Sequence, residues 1–183
     1  FSCKKAENRS CYKSSGEQSS LIINLPDFNQ LTLLRKLDYI LIQDTLNYLK
    51  VIGGKNLLNF IKSEEIETGH IRISNKNKCN FLRDLSSSII VEIHYKKISD
   101  IRYEGSGKLT NRDTLNFTNF NLLIVDCSGS VCLTLNANTL KAEIAEGFGD
   151  FTLHGTADYA NLIVRSNGYG RAENLQVNTL AVI

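Results

Sequence analysis

The chain has 183 residues, 42% of them hydrophobic and 22% charged, with a formal net charge of +2, one proline and five cysteines. That length holds one core and is short for two domains, and the composition excludes a disordered or collagen-like chain. Lys and Arg form no cluster interleaved with aromatics, which argues against a nucleic-acid surface, and no apolar run approaches the roughly 18 residues that span a bilayer.

Residues 1–20 read as a tether, because Ser14-Ser15-Gly16 and Ser19-Ser20 offer little to bury. The chain starts at Phe1 without an initiator Met, and Phe1-Ser2-Cys3 matches the end of a bacterial lipobox. Lipidation of the Cys3 thiol is expected on that reading; an arbitrary boundary before a cysteine is the alternative. The other cysteines are Cys11, Cys79, Cys127 and Cys132, and four thiols allow three full pairings in an oxidising envelope. Cys11 and Cys79 both lie in polar segments and could staple the tail to the body. Cys127 and Cys132 flank a turn and read equally well as buried free thiols.

Residues 21–100 are strand-like. Leu31-Thr32-Leu33, Tyr39 to Gln43, Tyr48 to Ile52, Ile66 to Ile73 and Ile89 to Tyr95 are rich in β-branched and aromatic residues, with Gly, Asn and Asp between them. Asn56 to Ile61 is the one stretch suited to a short helix.

From residue 101 to 183 a twenty-residue step takes over. Phe120, Leu140, Ala160 and Leu180 recur at it, as do Leu122, Ala142, Leu162 and Val182, and Ile124, Ile144 and Val164. Alternating apolar positions at one period predict a parallel β-solenoid of coils about twenty residues long, capped by the β-rich part 21–100. Residues 21–183 are then a single domain. Glycines 107, 129, 149 and 170 are spaced 22, 20 and 21 residues apart at one corner, where either a positive φ or a tight approach demands them. The widest gap places a loop in Arg112–Thr118. The last coil leaves Leu180-Ala181-Val182-Ile183 on an open edge.

Motifs for chemistry fail one by one. Gly168-Tyr169-Gly170 lacks the third glycine of a dinucleotide loop, and Gly107-Lys108 lacks the following Ser or Thr of a phosphate loop. Glu146-Gly147-Phe148-Gly149-Asp150 has the wrong period for a calcium-binding β-roll. The histidines His70, His94 and His154 have no third metal ligand nearby in sequence, and ordinary surface histidine is the better reading. Glu64-Glu65 point to different faces and make no acid/base pair, so no catalytic, metal or cofactor residue is expected. Asp44-Thr45-Leu46 and Asp113-Thr114-Leu115 match a short O-glycosylation acceptor pattern.

Several stretches together resemble one family. They are Tyr39 to Asp44, Gly54 to Lys62, Asn75 to Asn80, Val91 to Ile98, the Gly105-Ser106-Gly107 turn and the glycine turns that follow. This set is similar to the putative auto-transporter adhesin, head GIN-type domain, found in envelope lipoproteins of Bacteroidota, over about residues 20–183. The resemblance implies a right-handed parallel β-helix-like fold in the cell envelope, no known enzymatic activity and no binding residues to carry over. Cys127-Ser128-Gly129-Ser130 departs from the family's Gly-Ser-Gly turn. Phe148 and Tyr169 put aromatic rings at one corner, either packed there or turned outward as a binding ridge.

The resulting expectation is a non-enzymatic envelope lipoprotein of the outer membrane, periplasmic or surface-facing. It touches the membrane through its lipid anchor only, binds no nucleic acid, and presents a face to a polysaccharide or a surface protein. A scaffold assembling end to end through the open C-terminal edge, as a homo-oligomer, competes with it. A polysaccharide-acting enzyme ranks third.

Overall fold

A computed structural model of the chain describes residues 14–77 and 88–183. Among the described residues, thirteen strands and one short helix follow in the order β1 (Gln18–Asn24), β2 (Gln30–Arg35), β3 (Asp38–Gln43), β4 (Tyr48–Gly54), α1 (Lys55–Leu58), β5 (Ile61–Glu67), β6 (His70–Asn75) and β7 (Ile90–Tyr95). Then come β8 (Asp100–Gly105), β9 (Lys108–Asn111), β10 (Leu115–Ile124), β11 (Ser130–Ile144), β12 (Asp150–Val164) and β13 (Gly170–Val182). The run Ile66 to Ile73 is a hairpin and not one strand: β5 ends before Gly69, whose φ of 77° makes the turn into β6. The helix forms at Lys55–Leu58, burying Leu57 and Leu58, and β1 begins inside the stretch read as tether.

The twenty-residue step is a parallel pairing register. Phe120 lies opposite Leu140, Leu140 opposite Ala160, and Ala160 opposite Leu180. Inward positions alternate along each strand, as the pleat dictates. In β11 the alternation slips at Asn138–Thr139, two consecutive exposed residues. β12 slips at the equivalent Asp158–Tyr159, and the pairing skips Asn138 and Asp158. The long strands bend there, with short polar side chains that tolerate a corner. One bent strand thereby serves two walls: β11 pairs β9 through Ser130–Cys132 and β10 through Leu135–Ile144.

The expected right-handed parallel β-helix with a separate cap is not the architecture. All thirteen strands belong to one nearly closed, barrel-shaped sheet of mixed orientation, in the order β1-β4-β7-β3-β9-β11-β10-β8-β2-β6-β5, with β12 and β13 added beside β11. β1–β4, β4–β7 and β5–β6 are antiparallel. The part 21–100 does not sit on top of a stack, because β3 pairs with β9 and β2 with β8 inside the same sheet. Its physical cause is the tight β5–β6 hairpin together with antiparallel β4, which parallel pairing alone could not accommodate.

A single apolar core runs through the interior, from Leu31, Tyr39 and Val91 to Leu133, Leu140 and Phe151. Tyr39 and Tyr103 meet edge to face inside it, and their hydroxyls donate to the carbonyls of Leu34 and Gly107. Burial pushes both phenols far above their ordinary range.

Candidate functional site

The glycine corner is built by backbone contact. At Gly129 a Cβ would stand 2.2 Å from the Gly107 carbonyl oxygen, and at Gly168 one would stand 2.0 Å from that of Gly149. Neither has a positive φ, so close stacking is the reason for glycine here. In the last layer Gly168, not Gly170, stacks on Gly149; Phe151 lies opposite Gly170, and the β12–β13 register shifts between Thr152 and His154. Cys127 is buried under this corner, its thiol donating to the Gly105 carbonyl at 2.9 Å while its sulfur accepts the Gly129 N–H at 3.2 Å. Burial pushes that thiol up, which keeps it protonated and inert. Among the described residues Cys127 and Cys132 are both free, but Cys132 is exposed, 3.9 Å from His154 Nε2, and not buried as one reading had it. Cys3, Cys11 and Cys79 lie outside the described residues.

Outside the corner runs a shallow groove of about 360 Å³, lined by Asp38, Lys108, Ser128, Ser130, Phe148 and Asp150, with Ser106 and the corner glycines as its floor. The strand register explains the arrangement. Lys108, Ser130 and Asp150 are direct cross-strand neighbours, and Asp38 accepts the Lys108 backbone N–H at 2.9 Å. Phe148 follows Gly147, which bridges to Cys127, so its ring stands one strand beyond Ser128. Both corner rings turn outward: Phe148 is 71% exposed and Tyr169 66%. Tyr169 sits past the groove, with its N–H donated to Asp150 Oδ1 at 2.8 Å and the Arg171 guanidinium 5.4 Å over its ring. Arg171 also pairs with Asp150 at 3.3 Å.

Chemically the groove offers one aromatic face, hydroxyls and carboxylates. None of the three histidines lines it, so its serines have no imidazole base beside them. Among the described residues no three His, Cys, Asp or Glu converge as a metal site.

A second polar cluster escaped the sequence reading. Glu92 and His94 project from the outer face of β7, yet they are only 5% and 7% exposed. The Tyr48 ring stacks on His94 at 4.0 Å, and Asp44 Oδ2 lies 2.8 Å from His94 Nδ1. Lys50 and Arg112 both bridge to the Glu92 carboxylate. His94 is therefore no ordinary surface histidine. Alternation placed it outward; the long side chains that cover it come from strands that only the topology brings together. His70 bonds Thr32 Oγ1 at 2.8 Å. The two Asp-Thr-Leu triads present Thr45 and Thr114 on exposed turns, held side by side by reciprocal Gln43–Asn116 hydrogen bonds.

Among the described residues, no helix is long and apolar enough to cross a membrane. No curated protein matches the chain. Solved structures share its fold. A "putative adhesin" from Bacteroides fragilis is 20% identical, over 91% of this chain and 75% of that one, with a TM-score of 0.79. One from Parabacteroides merdae is 16% identical (92% and 78% covered, TM-score 0.63). A "putative lipid binding protein" from Parabacteroides distasonis is 19% identical (92% and 79% covered, TM-score 0.63). Residues 27–183 match the family model "Putative auto-transporter adhesin, head GIN domain", and the chain belongs to that family.

Proposed function

We propose that this is a non-enzymatic, adhesin-like binding protein of the cell envelope, lipid-anchored to the outer membrane through Cys3, whose glycine-corner groove holds a polysaccharide or another surface protein. The observation that carries the reading is Phe148, a large ring left 71% exposed on the rim of a groove lined by Ser, Asp and Lys. Membership of an adhesin-named family and the names of the Bacteroides and Parabacteroides relatives point the same way. The distasonis protein's name raises a lipid instead. A groove with one ring among hydroxyls and charges suits a sugar better than an acyl chain.

A glycan array probed with the wild-type chain, Phe148→Ala and Tyr169→Ala tests the groove. Loss of about tenfold in binding with Phe148→Ala is expected, the scale of one aromatic contact; unchanged binding removes the site. Metabolic labelling with a fatty-acid probe tests the anchor, and label persisting in Cys3→Ala would reject it. Protease access in intact cells decides between a periplasmic and an outward orientation.

A second reading, a scaffold assembling end to end, is favoured by Leu180 and Val182 on β13 and Ile183 just after it, exposed at 55%, 68% and 66%, beside a strand edge with no partner among the described residues. A strictly monomeric species by light scattering at high concentration rejects it.

A further inference from the structure

The groove repeats at the period of the sheet. Asp38, Lys108, Ser130 and Asp150 stand on four successive strands, β3, β9, β11 and β12. Ser106, Ser128 and Phe148 form a second row in the turns that lead into the last three of these. Adjacent strands are about 4.8 Å apart, so the groove is about 14 Å long across the strands. An occupant that uses it fully must offer polar groups at one-strand intervals. A linear chain of pyranose rings does so, each ring being about as long as one strand spacing.

The polar groups are uncommitted. Among the described residues, the hydroxyls of Ser106, Ser128 and Ser130 have no hydrogen-bond partner, and the Lys108 ammonium has no ion-pair partner. A serine hydroxyl both donates and accepts, as a sugar hydroxyl does. Charge in and beside the groove balances, with Asp38 and Asp150 against Lys108 and Arg171, and Asp150 is already held by Arg171 and the Tyr169 N–H. No net field is left to draw a polyanion. An extended peptide is a poor fit, because it would need a free strand edge, and these strands are paired on both sides.

We propose that the groove binds a linear, uncharged polysaccharide segment of about three sugars, laid across the strands, with Phe148 stacked against the sugar at the β12 end. This rests on the reading of the groove as the partner site and names what that site takes.

The experiment is calorimetric titration of the whole chain with neutral cello-, xylo-, manno-, laminari- and chito-oligosaccharides of one to six sugars, with oligogalacturonates as the charged counterpart. In at least one neutral series, affinity is expected to rise about tenfold per added sugar up to three and then level off, the gain of one or two good polar contacts per ring. Ser128→Val, an exposed substitution, lowers the affinity of the trisaccharide about tenfold. Length-independent affinity, an oligogalacturonate preference abolished by Lys108→Ala, or no binding in any neutral series overturns the inference. The reading of the groove itself fails separately, if Phe148→Ala leaves binding on the array unchanged.

Discussion

At Gly129 one methyl group decides whether two neighbouring turns can stack. Its Cβ would meet the Gly107 carbonyl oxygen at 2.2 Å, and backbone cannot step aside as a flexible side chain does. Gly129→Ala is expected to cost about 1–3 kcal/mol by overpacking, and Ser128→Ala next to it, on an exposed hydroxyl, less than about 0.5 kcal/mol. Urea midpoints of the two variants, measured side by side, check this; equal midpoints would mean that the corner yields. Glu92 carries a pH signature of its own. Burial pushes its carboxyl up, but the Lys50 hydrogen bond and the charges of Arg112 and Lys50 outweigh burial and hold it below the usual carboxylate range. Because the folded value lies below the unfolded one, the stabilisation is complete above the unfolded pKa of about 4.3 and fades as pH falls through the lower folded value. Glu92→Gln removes that contribution, about 1–3 kcal/mol at neutral pH for a buried charge-assisted bond. The gap between wild type and variant should close on acidification below the unfolded value, as the folded carboxylate takes up its proton. A gap that stays constant would show that Glu92 acts through packing alone. Asp44 and Glu143 are also held low, by the His94 hydrogen bond and by Lys141 and Arg165, so the difference curve, not the wild-type curve, isolates Glu92.

Among the elements, the parallel strands β10 to β13 hold the same inward position at four depths. Phe120, Leu140 and Ala160 are fully buried, whereas Leu180 at the same register is 55% exposed. Phe120→Ala should cost about 3–5 kcal/mol, and Leu180→Ala less than about 0.5 kcal/mol, by chemical denaturation; comparable losses would mean that β13 is covered in solution. This part of the fold was legible because parallel pairing repeats one step from strand to strand, so inward residues recur at a fixed spacing. The antiparallel pairings left no such trace. β1 and β4 join across Leu21 and Val51, and β4 and β7 across Val51 and Val91, but in antiparallel pairs the sequence separation changes by two at each successive pair, so no fixed step recurs. Hence the sequence spoke for a uniform coil where the sheet is mixed. The corner groove was half legible: the glycines and the rings of Phe148 and Tyr169 stood out, but Asp38 and Lys108 lie 70 residues apart and meet only through the β3–β9 pairing. The bend at Asn138 and Asp158 did carry a signal, short polar residues at the twenty-residue step, and it was hidden by the stronger apolar ladder.

For the molecule as a whole, stability must fall towards β13. Among the described residues, β11 is paired on both sides, to β9 and β10 on one flank and β12 on the other, whereas β13 has only β12. Leu175 of β13 is buried, but Leu180 and Val182 remain largely exposed, so opening β13 uncovers less apolar surface than opening an inner strand. Amides of β11 are therefore expected to exchange with solvent only on global unfolding, and those of β13 by local opening orders of magnitude sooner. Measured at two protein concentrations, the same exchange experiment separates the two readings of the open edge. A monomeric binder exposes β13 equally at both, because local opening is unimolecular. A chain that docks end to end shields the β13 amides as concentration rises, since association adds to the stability of the elements it covers in proportion to the logarithm of free partner. The groove lies at the glycine corner, on β3, β9, β11 and β12, so glycan binding should protect those turns and leave β13 unchanged. Protection that appears on β13 with concentration and never at the corner would transfer the function from the groove to the edge.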